Sequence, residues 1–192
     1  MLNALLMYVV TFGSMFHGQV DPAHRAKASD ASLMARHYGH GTQPLSPMRD
    51  MDHNVYAVGS LKGHWTLLYF WADWCVPCVR EGIPDLIAFS NAHSHSRDRY
   101  RIVAIRFNSK NEAGDWNDFH TKTLKLEKSL WRAAPPFPVV YDESTRVTSD
   151  WGIHELPTYA LIDPEGNLVR GGDLAKLAVG VDGKKTIRSG GH

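Results

Sequence analysis

Phe70-Trp71-Ala72-Asp73-Trp74-Cys75-Val76-Pro77-Cys78 decides the fold, because an apolar run ends there and two cysteines follow at Cys-x-x-Cys spacing. Upstream, residues 65–71 (WTLLYFW) are continuously apolar and aromatic, the pattern of a strand buried on both faces in the middle of a sheet. Downstream, residues 79–92 carry Ile83, Leu86, Ile87 and Phe89 at helical intervals, with Pro84 interrupting. That pattern predicts a helix kinked at the proline. The cysteine pair therefore sits between a strand and a helix, with Cys75 at the helix N-terminus, where unpaired backbone N–H groups and the helix dipole favour a thiolate. A free cysteine titrates near about 8.5, and such a setting lowers that value by one to several units. Cys75 is thus the expected nucleophile and Cys78, one turn further in, the resolving thiol. Pro77 can occupy an early helical position, where its missing N–H costs little.

The rest of the chain alternates in the same way. Residues 100–107 (YRIVAIRF) form a second buried strand, and 111–130 a mostly helical segment with Trp116, Phe119, Leu124 and Leu126 among charges. Residues 137–141 make a strand and 144–151 a short helix. Two more strands, 158–162 and 167–170, are joined by Asp163-Pro164-Glu165-Gly166 as a hairpin. A βαβ start with a hairpin near the end implies an α/β sandwich: a mixed central sheet with helices on both faces. From residue 171 onward only 174–179 suggests a helical turn or two, and the end is expected to fray.

The 192 residues, 43% hydrophobic, suffice for one cored domain with an extension. A net charge of +1, from 21 basic and 20 acidic residues, makes no electrostatic case for a nucleic-acid partner. With only two cysteines there is no disulfide framework, so packing must supply stability. Residues 1–16 form an uncharged apolar run, too short for a comfortable membrane span but the length of a signal-peptide core. Export is the expectation; the alternative is an N-terminal helix docking through Leu2, Leu5, Leu6 and Val9. Residues 17–54, rich in His, Ala, Ser, Asp, Pro and Gly, suggest a linker or extension.

A lone Cys-x-x-Cys can also be half a zinc site or a pair of buried small side chains. No second pair exists to complete a zinc site, and Val79 in place of a histidine removes the c-type haem reading. His37 with His40, and His93 with His95, are the tighter pairs among eleven histidines; without cysteine or carboxylate companions they earn no metal assignment. The site is expected to need no cofactor beyond its own disulfide.

Residues 70–78 resemble the active-site stretch of thioredoxin-superfamily proteins, above all the TlpA/ResA-like exported thiol-disulfide oxidoreductases. Trp151-Gly152-Ile153-His154-Glu155-Leu156-Pro157-Thr158-Tyr159, followed by Leu161-Ile162-Asp163-Pro164-Glu165-Gly166, resembles that family's cis-proline segment and hairpin. The resemblance covers about residues 55–172. It implies a thioredoxin-like three-layer sandwich over residues 55–180, with 181–192 as a flexible tail. It also implies that Pro157 is a cis-proline beside the cysteines and that Leu156 offers its backbone to a substrate peptide. Trp74, Val76 and Pro77 would complete the substrate contacts, with Trp71 in the core.

Two departures from the pattern matter. Thioredoxin has a buried acid six positions before the first cysteine, whereas this chain has Tyr69. The TlpA/ResA-like branch has a glutamate three positions after the second cysteine, matched by Glu81, so a partly buried Glu81 is expected to accept the Cys78 proton. The kink proline usually follows the second cysteine by five positions, and Pro84 follows by six; one extra residue could rotate Glu81 away from the cysteines. The resemblance implies a monomeric reductant of exported protein thiols, fed by an upstream thiol donor that a membrane can hold, with a possible N-terminal tether. Two rivals share the fold: a peroxiredoxin-type peroxidase, whose reactive cysteine usually has Thr three positions before it where this chain has Ala72, and a redox-inactive peptide-binding module.

Overall fold

A computed structural model describes residues 45–108 and 115–183. The apolar segment 1–16, the extension up to residue 44, the His37–His40 pair and the last nine residues lie outside them.

Six strands form one mixed sheet: β1 (Met48–Arg49), β2 (Val55–Tyr56), β3 (Trp65–Trp71), β4 (Tyr100–Arg106), β5 (Val139–Tyr141) and β6 (Thr158–Ile162), in the order β2-β1-β5-β4-β3-β6. β3, β4 and β5 run parallel, while β6 and β1 flank them antiparallel. The helices are α1 (Ile83–Ala92), α2 (Trp116–Leu126), α3 (Arg146–Asp150) and α4 (Leu174–Gly183). Asp115 starts α2 by accepting the Asp118 N–H at 3.0 Å, an N-cap of ordinary type.

β3 lies between β4 and β6, so its backbone is paired on both edges. Its alternating side chains divide between two cores. Leu67, Tyr69 and Trp71 point to one face with Ile83, Leu86 and Phe89 of α1, Phe119 of α2, and Leu177 and Val181 of α4. Leu68 and Phe70 point to the other with Leu45, Val58, Leu61, Ile153 and Val147 of α3. The sheet is thus covered on both sides, as an α/β sandwich requires.

Four expectations change. The domain starts before residue 55: β1 pairs with β5, Leu45 and Met48 are buried, and residues 45–54 belong to the fold rather than to a linker. The second hairpin strand is reduced to a single bridge, Ile162 to Leu168, because the chain turns away to begin α4. Residues 174–183 form a continuous helix whose Leu177 and Val181 are fully buried, so 181–183 are not tail. Burying two such side chains stabilises by about 1.5–3 kcal/mol each, which holds the helix down despite Gly180. Finally, the helix after the cysteines is not α-helical throughout: Cys78–Gly82 is a π turn that runs directly into α1, with Pro84 as the second residue of α1.

Candidate active site

The cysteine loop leaves the C-terminal end of β3. The Cys75 N–H donates to the Ala72 carbonyl, and the Cys75 carbonyl accepts the Val79 N–H, each at 3.1 Å. Cys75 therefore stands at the start of the helix, where the dipole and the free first-turn N–H groups favour its thiolate. The two sulfurs are bonded, with their Cα atoms 5.2 Å apart. Access is unequal: Cys75 keeps 6% of its surface and Cys78 none. Only the first sulfur can meet a substrate, which divides the roles of nucleophile and resolving thiol.

The surroundings of Cys75 are apolar and open. Trp74 and Val76 are 55% and 59% exposed, and Pro77 is exposed beside them. β6 pairs antiparallel to β3 with Thr158 opposite Phe70, so the preceding Leu156 and Pro157 come to the same end of β3 as the cysteines. The Leu156–Pro157 peptide bond is cis. Leu156 is half-buried and packs on both cores.

Asp73 anchors the loop from below. Its Oδ1 accepts Arg106 Nη2 at 2.6 Å and Nε at 3.1 Å, and Lys122 Nζ lies 3.2 Å from Oδ2. Burial works to raise the Asp73 carboxyl, but the Arg106 and Lys122 cations outweigh it and hold the carboxyl below its usual range. Arg106, 2% exposed, ends β4 directly beside Trp71. Sequence reasoning did not find it, since an arginine closing a strand carries no signal without the pairing register.

Glu81 is exposed, not partly buried as the proton-acceptor expectation required. The π turn accounts for this: the one extra residue is absorbed there, and Glu81 turns outward while Val79 and Gly82 on either side of it stay buried. Asp85, one turn further on, has its carboxyl raised, first by partial burial and then by the Glu81 charge. Sequence reasoning passed over Asp85, although its spacing of four from Glu81 puts both on one helix face.

Beneath the cysteines lies Tyr69, fully buried, donating its hydroxyl to the Cys78 carbonyl at 3.2 Å. Its cross-strand partner Tyr159 has its ring 4.8 Å away. Burial drives both hydroxyls well above the ordinary tyrosine range, with the neighbouring Asp85 and Glu81 charges adding to the effect.

The sequence matches the AhpC/TSA family over residues 42–170, two thirds of the chain and every element from β1 to β6. The chain belongs to the AhpC/TSA family. The sporulation thiol-disulfide oxidoreductase A of Bacillus subtilis is 31% identical over 108 residues, 56% of this chain and 58% of that protein. The thiol-disulfide oxidoreductase ResA of Bacillus subtilis is 27% identical over 128 residues, 66% of this chain and 63% of that one. The chain thus spans about six-tenths of the length of these two curated relatives. Among solved structures, the exposed lipoprotein thioredoxin Etrx1 of Streptococcus pneumoniae superposes with a TM-score of 0.52 at 26% identity, covering 66% of this chain and 86% of that one.

Proposed function

We propose that this protein is a thiol-disulfide oxidoreductase acting on protein substrates through the Cys75–Cys78 couple. The observation that carries this reading is the unequal exposure of two sulfurs bonded at a helix N-terminus. Support also comes from the curated relatives, both named thiol-disulfide oxidoreductases.

In the reducing direction the Cys75 thiolate attacks one sulfur of a substrate disulfide. A mixed disulfide forms and the other substrate sulfur leaves as a thiolate, which takes a proton from water. Cys78 then gives up its thiol proton, its sulfur attacks Cys75 Sγ, and the second substrate sulfur leaves as a thiolate. Two electrons pass to the substrate and the Cys75–Cys78 bond closes. We assign the Cys78 proton to the carboxylates Glu81 and Asp85, both exposed on the helix that follows the cysteines. Trp74, Val76, Pro77, Leu156 and Pro157 form the apolar surface that receives an extended substrate peptide, with the Leu156 backbone as its strand-like partner.

The resemblance to TlpA/ResA-like proteins favours a reductant working outside the cytoplasm, supplied with electrons by a thiol donor that can be membrane-bound. A relative described as an exposed lipoprotein supports export, and with it the N-terminal segment as signal or tether. Among the described residues no helix is long and apolar enough to cross a membrane.

The test is the equilibrium reduction potential of the couple against glutathione, read by thiol alkylation. A value near or below about −270 mV supports the reductant, and one near about −120 mV reverses the direction to disulfide formation. A pair that forms no disulfide at any potential refutes the reading. Cys75→Ser should abolish exchange, and Cys78→Ser should arrest it at the mixed disulfide.

A further inference from the structure

We infer that Tyr69 and Trp131 are positioning residues for the resolving cysteine, holding open the one-residue-expanded helical turn that carries Cys78. The inference rests on the thiol-exchange reading above and adds what sets the second step of that reaction.

The geometry begins with a mismatch of spacing. Cys78 and Ile83 are both fully buried in the same core, five residues apart. In a regular α-helix five steps of about 100° make about 500°, so such residues sit about 140° apart round the axis. A π turn removes the mismatch, and Cys78–Gly82 is one: the Ile83 N–H reaches back five residues to the Cys78 carbonyl. The next bond of that kind would run from residue 84 to the Val79 carbonyl, but residue 84 is proline and has no N–H to give. The indole N–H of Trp131, 52 residues further along the chain, donates to the Val79 carbonyl instead, at 2.8 Å.

The Cys78 carbonyl also has an outside donor, the Tyr69 hydroxyl. Gly82 makes room for it, since a Cβ at that position would overlap the Tyr69 hydroxyl and ring. Two adjacent carbonyls at the resolving cysteine are therefore held from outside the helix. One donor comes from β3; the other comes from the turn Glu127–Trp131 that follows α2. Trp131 is itself fixed edge-on against Trp71, with ring centres 5.8 Å apart. Without these donors the expanded turn keeps its own Ile83-to-Cys78 bond but loses its outside hold on two carbonyls, and the placement of Cys78 against Cys75 loosens. The exposed nucleophile, held by its own bonds to Ala72 and Val79, is left in place.

A two-step thiol assay separates the steps. The fully reduced protein is mixed with 5,5′-dithiobis(2-nitrobenzoate) in a stopped-flow instrument. Attack by Cys75 releases one coloured thiolate, and attack by Cys78 on the resulting mixed disulfide releases a second. In Tyr69→Phe the first release should match the wild type, and the second should slow about tenfold, the loss of one net hydrogen bond in the second transition state. Trp131→Phe should give the same split, and it carries the test if Tyr69→Phe does not fold. Equal slowing of both releases, or no slowing of either, overturns the positioning role while leaving the proposed function intact. A wild-type protein that releases no thiolate overturns both.

Discussion

Replacing Asp73 with asparagine tests how the cysteine loop is anchored. Asp73 is 14% exposed and its Arg106 partner 3%, so the pair is largely out of water, while the third member, Lys122, is 45% exposed. Removing one partner of a buried ion pair costs about 3–5 kcal/mol, because the other charge stays buried without it. Removing an exposed partner costs about 0–1 kcal/mol. Asp73→Asn should therefore lower the thermal midpoint by about 6–20 °C. Its urea midpoint should fall by about 1 M or more with an unchanged slope. Lys122→Met should move either midpoint only slightly. The sign with pH follows from Asp73's lowered carboxyl. Its contribution is fully present above the ordinary carboxylate range near about 4 and is lost as pH falls through the lower folded value. The gap between wild type and Asp73→Asn should thus be constant from neutrality down to about pH 5 and should close in stronger acid. Thermal melts and urea titrations followed by tryptophan fluorescence, the latter at several pH values, measure these. Equal small losses in the two variants, or a gap that widens in acid, would refute the anchoring argument.

Three further outcomes follow from the same geometry. Glu81→Gln removes a like charge beside Asp85 and should move the acid limb of the thiol-exchange rate to lower pH, while replacing both carboxylates by amides should remove that limb; unchanged profiles in both would end the proton-acceptor assignment. A Cβ on Gly180 would overlap the Trp65 ring, so Gly180→Ala should cost about 1–3 kcal/mol in a denaturant titration. Gly183→Ala, with nothing within reach of its Cβ, should be neutral or slightly stabilising. Leu177→Ala should lose about 2–5 kcal/mol if the last helix is core, and almost nothing if it frays.

What the sequence made legible was whatever local pattern determines. β3 is buried on both faces, so its apolar run has sharp edges and its bounds follow from composition alone. β4 is legible for the same reason. The cysteine loop was readable because two residue types at one spacing between a strand and a helix constrain the chemistry. β1 and β2, two residues each, are too short to show any period; β2 pairs with β1, and only β1's pairing with β5 joins them to the sheet. The final helix was underestimated because what extends it is packing between elements far apart in sequence, Gly180 against the Trp65 ring and Val181 in the core. Glu81 was misplaced because the same proline that suggested a kink accompanies a change of helical winding, which rotates everything on one side of it. Motif reasoning marked Tyr69 only as the residue standing where thioredoxin has an acid, and passed over Trp131: their partners are backbone carbonyls, and one of them lies 52 residues from its acceptor.

The pairing of β6 with β3 also has a consequence for the order in which the protein becomes competent during synthesis. Cys75 and Cys78 emerge from the ribosome with β3, but the Leu156–Pro157 wall arrives only with β6, after β4, β5 and three helices have been made. Domains generally fold as units, and contacts distant in sequence close late. From the making of Cys75 to that of Pro157 the chain therefore carries a dithiol without the groove that would select its substrates, and an arrested or truncated product ending before residue 156 would lack that selection for good.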